Sequence, residues 1–259
     1  MTLSHYLRAV DMQARMLLKA EASRYKLGVL WWFLEPLLWV AVFFVVFNLI
    51  LESSRRGGDF IIFLACGKFA FIWFSKSVGQ ASNSIAANNS LIGKINVPKS
   101  LFPMAAIQEG VYRQMAVYTL LGVGLALAGY PVGLAWLWLL PVAFVYYLMI
   151  VACSFVGACL VCWVRDFSKF IPLGMMFLLF TSGIFWDIRE LGDPEKIELI
   201  LNLNPMAFIL DAHRQVLMRQ SAPDLLHLLK IGLGAAVIIA AMVSFMRRKS
   251  QYLALKVLT

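Results

Sequence analysis

Charge is scarce in this sequence. Only 14% of its 259 residues are Asp, Glu, Lys or Arg, against 61% hydrophobic. A soluble domain carries about 25% charged and about 45–50% apolar residues. The shortage excludes a water-covered globular surface and indicates an integral membrane protein. Histidine is scarcer still. His5, His213 and His227 lie far apart, so no metal-ligand spacing exists and no metal is expected. The four cysteines, Cys66, Cys153, Cys159 and Cys162, fall inside apolar runs. Cys159 and Cys162 have C-x-x-C spacing, but no His and no βαβ pattern accompanies them, so packing is the better reading. No Ser/His/Asp arrangement stands out. No phosphate-binding G-x-x-x-x-G-K-[ST] loop exists, because Gly67-Lys68 and Gly93-Lys94 both lack the upstream glycine. Residues 1–22 contain no apolar signal core, so no cleavable leader is expected.

What the sequence has is apolar length. Crossing about 30 Å of hydrocarbon takes about 20 residues. Runs at 31–51, 60–79, 104–128, 134–164, 170–185 and 225–246 give six spans in an all-α integral membrane protein. Six spans put both termini on one side. Arg8, Arg15, Lys19, Arg24 and Lys26, then Lys94 and Lys99, Arg165 and Lys169, and finally Arg247, Arg248, Lys249 and Lys256 all fall on that side. The other side has Arg55-Arg56 balanced by Glu52 and Asp59, and an acidic segment after the fifth span. The excess of cations therefore marks a cytoplasmic face with both termini in the cytoplasm. It accounts for the net charge of +9 without a nucleic-acid partner.

Residues 1–29 read as an amphipathic helix. Leu3, Leu7, Val10, Ala14 and Leu17 recur on one face, and Arg8, Asp11, Arg15 and Lys19 on the other. Such a helix lies in the membrane interface. Residues 30–259 then form the six-span domain. Its cytoplasmic segment at about 82–103 holds Asn88-Asn89-Ser90, a helix-capping cluster, a short amphipathic element with Leu91, Ile92 and Ile95, and a stop at Pro98. The segment is an ordinary connecting turn or a docking element for another protein, and its length and its apolar residues in water favour docking. Inside the spans, Lys68, Glu109 and Arg113 stand out. Glu109 and Arg113 are spaced i, i+4 with the acid first, the favourable order for a helical pair. They form an internal structural pair or a substrate contact. Lys68 requires a polar cavity or an acid. The segment at about 187–220 is too polar to span and too apolar for a free loop. Two short helices re-entering from the outer face and joined at Asn204-Pro205 fit it.

Arg24-Tyr25-Lys26-Leu27-Gly28-Val29-Leu30-Trp31, followed by Leu34-Glu35-Pro36, resembles the entrance motif of the membrane subunits of polysaccharide-export ABC transporters, the branch that exports O-antigen, capsule or teichoic acid. Asn88 to Ile92 through Val97-Pro98, Arg165-Asp166 and Asn204-Pro205-Met206 resemble further family segments, in the right order. The resemblance covers essentially the whole chain. Lys68 departs from it, standing where many members are apolar.

The resemblance implies a homodimeric pore in the bacterial inner membrane with two separate ATP-binding cassette subunits. No cofactor is expected in this chain; ATP and Mg belong to the ATPase. The cargo would be an undecaprenyl-diphosphate-linked polysaccharide such as O-antigen or capsule. Arg24, Lys26, Leu27 and Gly28 would meet the lipid diphosphate. Asn88, Asn89, Leu91, Ile92, Lys94 and Pro98 would dock the ATPase. Asn204, Pro205 and Phe208 would form the outer gate. Trp31, Trp32, Phe33 and Trp39 of span one, with Phe177, Phe180, Phe185 and Trp186 of span five, offer planes for sugar rings, or serve as an interfacial belt and as helix packing. Two other readings remain at this point. One is an ABC permease for drugs or another lipid-like cargo. The other is a membrane enzyme acting on lipid-linked glycans, which would need clustered acids or a phosphate-handling His/Arg set that the sequence does not offer.

Overall fold

The computed structural model describes residues 2–50, 57–92, 97–249, 251 and 256. Its described residues are helical or in turns, without strands. The long helices are α1 (Leu3–Arg24), α2 (Trp31–Phe44), α3 (Gly57–Ala87), α5 (Leu101–Leu127), α6 (Leu139–Trp163), α7 (Phe167–Thr181) and α10 (Leu225–Arg248). The short ones are α4 (Asn89–Ile92), α8 (Pro194–Leu203) and α9 (Pro205–Leu217). Four helical stretches are long and apolar enough to cross a bilayer: Gly28–Phe47, Asp59–Ala87, Leu134–Trp163 and Leu225–Arg248.

Helix α3 is the axis of the fold. It packs on α5, α6 and α9, while α10 lies on α6 and α1 lies on α5. Its side chains Leu64, Ala70, Ala81, Ser82 and Ile85 are fully buried. This explains a difference from the sequence reading. The helix does not stop near Gly79 but runs to Ala87, because Ala81, Ser82 and Ile85 continue the buried stripe. The first six residues of the 82–103 segment are therefore helix rather than connecting loop.

At the start of the chain, α1 buries Val10 and Ala14 and ends at Arg24. Gly28 takes a left-handed φ of 49°, a turn that a side chain would strain. A 3-10 turn at Gly28–Leu30 then leads into α2, which continues as a π-helix over Val45–Ile50. Pro36 sits inside α2 and is buried. Lacking an N–H, it leaves the Trp32 carbonyl without its i+4 donor.

Between α7 and α10 the chain folds back in two short helices that meet at Asn204-Pro205. Asn204 caps α9, its Oδ1 accepting from the Met206 and Ala207 N–H groups at 3.1 and 3.2 Å. Its Nδ2 donates to Ser182 Oγ at 3.1 Å, tying the cap to the end of α7. Pro205 occupies the first turn, where its missing N–H is harmless. Every residue of α9 from Met206 to Leu217 is buried, whereas none of α8 is. Asn204→Ala should cost about 1–2 kcal/mol, read as a lower thermal midpoint of the purified protein in detergent. Asn204→Asp, which keeps the capping oxygen, should lose much less.

The cysteines are Cys66 in α3 and Cys153, Cys159 and Cys162 in α6. All four are unpaired, three buried and Cys153 half-buried. They face neighbouring helices, in keeping with a packing role.

Candidate functional site at the junction of α1, α2, α3 and α5

A cavity of about 320 Å³ opens where α1 ends and α2 begins, with α3 and α5 as its back wall. Tyr25, Gly28, Trp31, Trp32 and Glu35 line it from the front, and Trp73, Ser77, Lys76, Arg113 and Gln114 from behind. Trp73 and Ser77 are among the lining residues, but their polar atoms, Nε1 and Oγ, are buried in the packing between α3 and α5, without a hydrogen-bond partner among the described residues.

Its charges are mostly neutralised in place. Arg113 donates to Glu21 of α1 at 2.8 and 2.9 Å, to Glu109 at 2.9 Å and to Gln80 at 3.3 Å. Lys76 of α3 is paired with Glu35 of α2. The i, i+4 pair legible in the sequence is thus present, and Glu21, 92 residues before Arg113, is a third member that no local pattern could reveal. The first part of α1 is fixed similarly. Asp11 accepts from the Tyr112 hydroxyl of α5 and pairs with Arg15 at 3.0 Å. The Tyr112 hydrogen bond, helped by Arg15, holds the Asp11 carboxyl below the usual carboxylate range.

Arg24 and Lys26 stand on either side of Tyr25 in the chain but do not themselves line the cavity. Both are exposed and have no acidic partner among the described residues. Leu27 is exposed beside them. Lys68 sits deeper and is buried, but not against an acid. Its ammonium lies 4.1 Å from the centroid of the Trp39 ring, a cation–π contact that sequence spacing does not disclose. From Trp39 a chain of rings continues to Phe43 at 5.9 Å, Phe185 at 6.3 Å and Phe180 at 5.6 Å. Trp186 donates its indole N–H to the Phe180 carbonyl at 3.1 Å. The fold therefore joins part of the aromatic sets of α2 and the α7 end. Phe33 does not line the cavity, and Phe177 is exposed on α7.

Helix α9, which packs on α3, carries buried polar groups. Arg214 is 2% exposed. It donates to the carbonyls of Phe63, Gly183 and Ile184 at 3.3, 2.7 and 3.1 Å and rests 3.4 Å from the Phe63 ring. Asp211 pairs with Arg189 at 2.7 Å, and His213 is bonded to Tyr118 at 2.8 Å. Phe208 is buried with its ring 4.2 Å from that of His227.

On the segment after α3, Asn88 donates to the Ser84 carbonyl at 2.7 Å, and Asn89 accepts from the Ser90 N–H at 2.7 Å. Leu91 and Pro98 are exposed. Lys94 and the side chain of Ile92 lie outside the described residues.

The membrane-protein pattern described as ABC-2 type transporter matches residues 12–218. The O-antigen export system permease protein RfbA of Klebsiella pneumoniae is 27% identical over 199 residues, 75% of each chain. That of Myxococcus xanthus is 24% identical over 239 residues, 91% of this chain and 90% of its own. The family match takes in the cavity, the α3 axis and α9 together. The chain accordingly belongs to the ABC-2 type transporter family, as a membrane subunit whose ATP-hydrolysing partner is a separate chain.

Proposed function

We propose that this chain forms the pore of an exporter that moves an undecaprenyl-diphosphate-linked polysaccharide, of the O-antigen or capsule type, across the bacterial inner membrane. The observation that carries the reading is the similarity to O-antigen export permeases, over three-quarters of the chain for that of Klebsiella pneumoniae and nine-tenths for that of Myxococcus xanthus. In this arrangement α2, α3, α5, α6, α7 and α10 are the six spans, α1 lies in the cytoplasmic interface, and both termini are cytoplasmic. The α8–α9 pair re-enters from the outer face and carries the gate around Asn204, Pro205 and Phe208. The short α4 region, with Asn88, Asn89, Leu91, Ile92, Lys94 and Pro98, docks one of two ATPase subunits, which bind ATP and Mg. Helix α7 has no buried residue, and α2 exposes Leu37, Leu38, Val42 and Phe44. Apolar faces of that extent suit lipid and a second copy of the chain around a shared pore.

The cavity supports the cargo assignment chemically. Its internal cations are committed to Glu21, Glu109 and Glu35, whereas Arg24 and Lys26, on either side of the lining residue Tyr25, are exposed, without an acidic partner among the described residues, and suit a diphosphate. Trp31 and Trp32 in the lining suit the C–H faces of a sugar behind it. The double variant Arg24→Ala with Lys26→Ala should insert normally and lose most export, measured with the ATPase in proteoliposomes loaded with lipid-linked glycan. In the same system the glycan should stimulate ATP hydrolysis. Normal export by the variant would refute the headgroup role. Stimulation by drugs but not by glycan would favour a different cargo, and substrate turnover by the chain alone would sink the transport reading.

A further inference from the structure

A second groove, of about 860 Å³, lies elsewhere on the chain and shares no lining residue with the entrance cavity. Its floor is apolar, built from Val151 and Phe155 of α6 and Ile239 and Val243 of α10. Its polar lining comes from Lys99 and Ser100 in the turn before α5, Arg247 in the last turn of α10, Tyr6 of α1 and Tyr147 of α6. Tyr6 donates its hydroxyl to Ser100 Oγ at 3.1 Å and feels the charge of Arg247, which brings α1, the turn before α5 and the end of α10 together. No acid is among the described residues that line the groove.

Lys99 is the informative residue. It is 5% exposed, yet it has no hydrogen bond or ion pair among the described residues. The other buried charges there are all compensated: Glu109 by Arg113, Asp211 by Arg189, Arg214 by three carbonyls and Lys68 by a tryptophan face. Burial lowers the Lys99 pKa, because it disfavours the charged form. A buried, unpartnered cation and a second cation lining one apolar groove are complementary to an anion that carries a hydrocarbon chain. A free phosphate would satisfy the charges and leave the floor empty. Basic pockets between membrane helices on the cytoplasmic side recognise acidic lipid headgroups in this way.

We propose that the groove holds one anionic phospholipid, its phosphate at Lys99 and Arg247 and an acyl chain along the α6–α10 floor. The proposal rests on the membrane placement of the chain with its basic ends cytoplasmic, and not on the identity of the cargo.

The test uses the full-length chain in mild detergent, with native mass spectrometry counting retained phosphatidylglycerol or phosphatidylcholine of identical acyl composition. The wild type should retain one phosphatidylglycerol about tenfold or more tightly than phosphatidylcholine, a preference that two cations near a phosphate can supply. Lys99→Gln with Arg247→Gln should abolish the preference, and Lys99→Arg should keep it. Ile239→Trp, which fills the floor and leaves the charges, should weaken retention of both lipids. Gel filtration and circular dichroism establish that each variant is folded. Equal retention of the two lipids by the wild type, a preference surviving in the charge variant, unchanged retention in Ile239→Trp, or displacement by inorganic phosphate would each overturn the proposal. Two further results would do so by assigning the groove elsewhere. One is loss of ATPase capture in the charge variant with lipid preference intact. The other is one-for-one displacement of phosphatidylglycerol by undecaprenyl diphosphate.

Discussion

Arg214→Met should produce the most damaged chain of any single substitution considered. The guanidinium sits in the core and closes three carbonyls at once, from α3 and from the turn after α7. Methionine has similar reach but donates nothing. A buried polar group left unsatisfied costs about 1–3 kcal/mol; the Phe63 carbonyl keeps its place in the α3 hydrogen-bond ladder, so stranding the Gly183 and Ile184 carbonyls should cost about 2–5 kcal/mol. Against a total stability of about 5–15 kcal/mol, that is enough to collapse the yield of folded protein. The check is the detergent-solubilised yield and thermal midpoint. Gly67 offers an independent view of the same hub, because a Cβ there would collide with the Arg214 guanidinium. Gly67→Ala should destabilise in the wild type and much less in the Arg214→Met background. Residues sharing one contact are not additive, so simple additivity would show that the two do not act through that contact.

Arg113→Ala should have the next largest effect, for a different reason. Glu109 is fully buried, and removing its partner leaves a carboxylate stranded, at a cost of about 3–5 kcal/mol. Glu21, on the other side of Arg113, has a side chain 37% exposed. Glu21→Gln should therefore cost about 1 kcal/mol or less. The ordering distinguishes a buried pair from a surface tether between α1 and α5. Adding Glu109→Gln to Arg113→Ala should recover much of the loss, since the stranded charge is gone. Thermal midpoints of the four proteins decide it. Equal effects of Glu21→Gln and Arg113→Ala would show that the tether, and not the buried acid, dominates.

Much of the helical order was legible because apolar runs must be long to cross lipid. Helices α2, α3, α6 and α10 appear where the runs at 31–51, 60–79, 134–164 and 225–246 place them. The joint at Asn204-Pro205 was legible from residue chemistry alone. Helix α9 was not recognisable as core. Asp211, His213, Arg214 and Gln215 break its apolar pattern; the first three are made acceptable by partners distant in sequence, Arg189, Tyr118 and the Phe63 and Gly183 carbonyls, and Gln215 by Asp211 one turn away. Local periodicity carries no record of such partners. The same limit hid Glu21 from Arg113 and Trp39 from Lys68. At the entrance, Trp31, Trp32, Tyr25 and Gly28 were legible as a cluster because they are close in sequence. Trp73, Ser77 and Gln114, which complete the cavity, come from α3 and α5 and carried no local signal.

The seclusion of the four cysteines has a practical consequence. None of the thiols is fully open to water, so a hydrophilic maleimide should react slowly with the native chain. A single cysteine placed at an exposed site such as Leu91 or Leu203 can then be labelled selectively without first removing the natural ones. Distances between two such probes would follow the motion of the transporter through an ATP cycle in a chain whose own packing is left untouched.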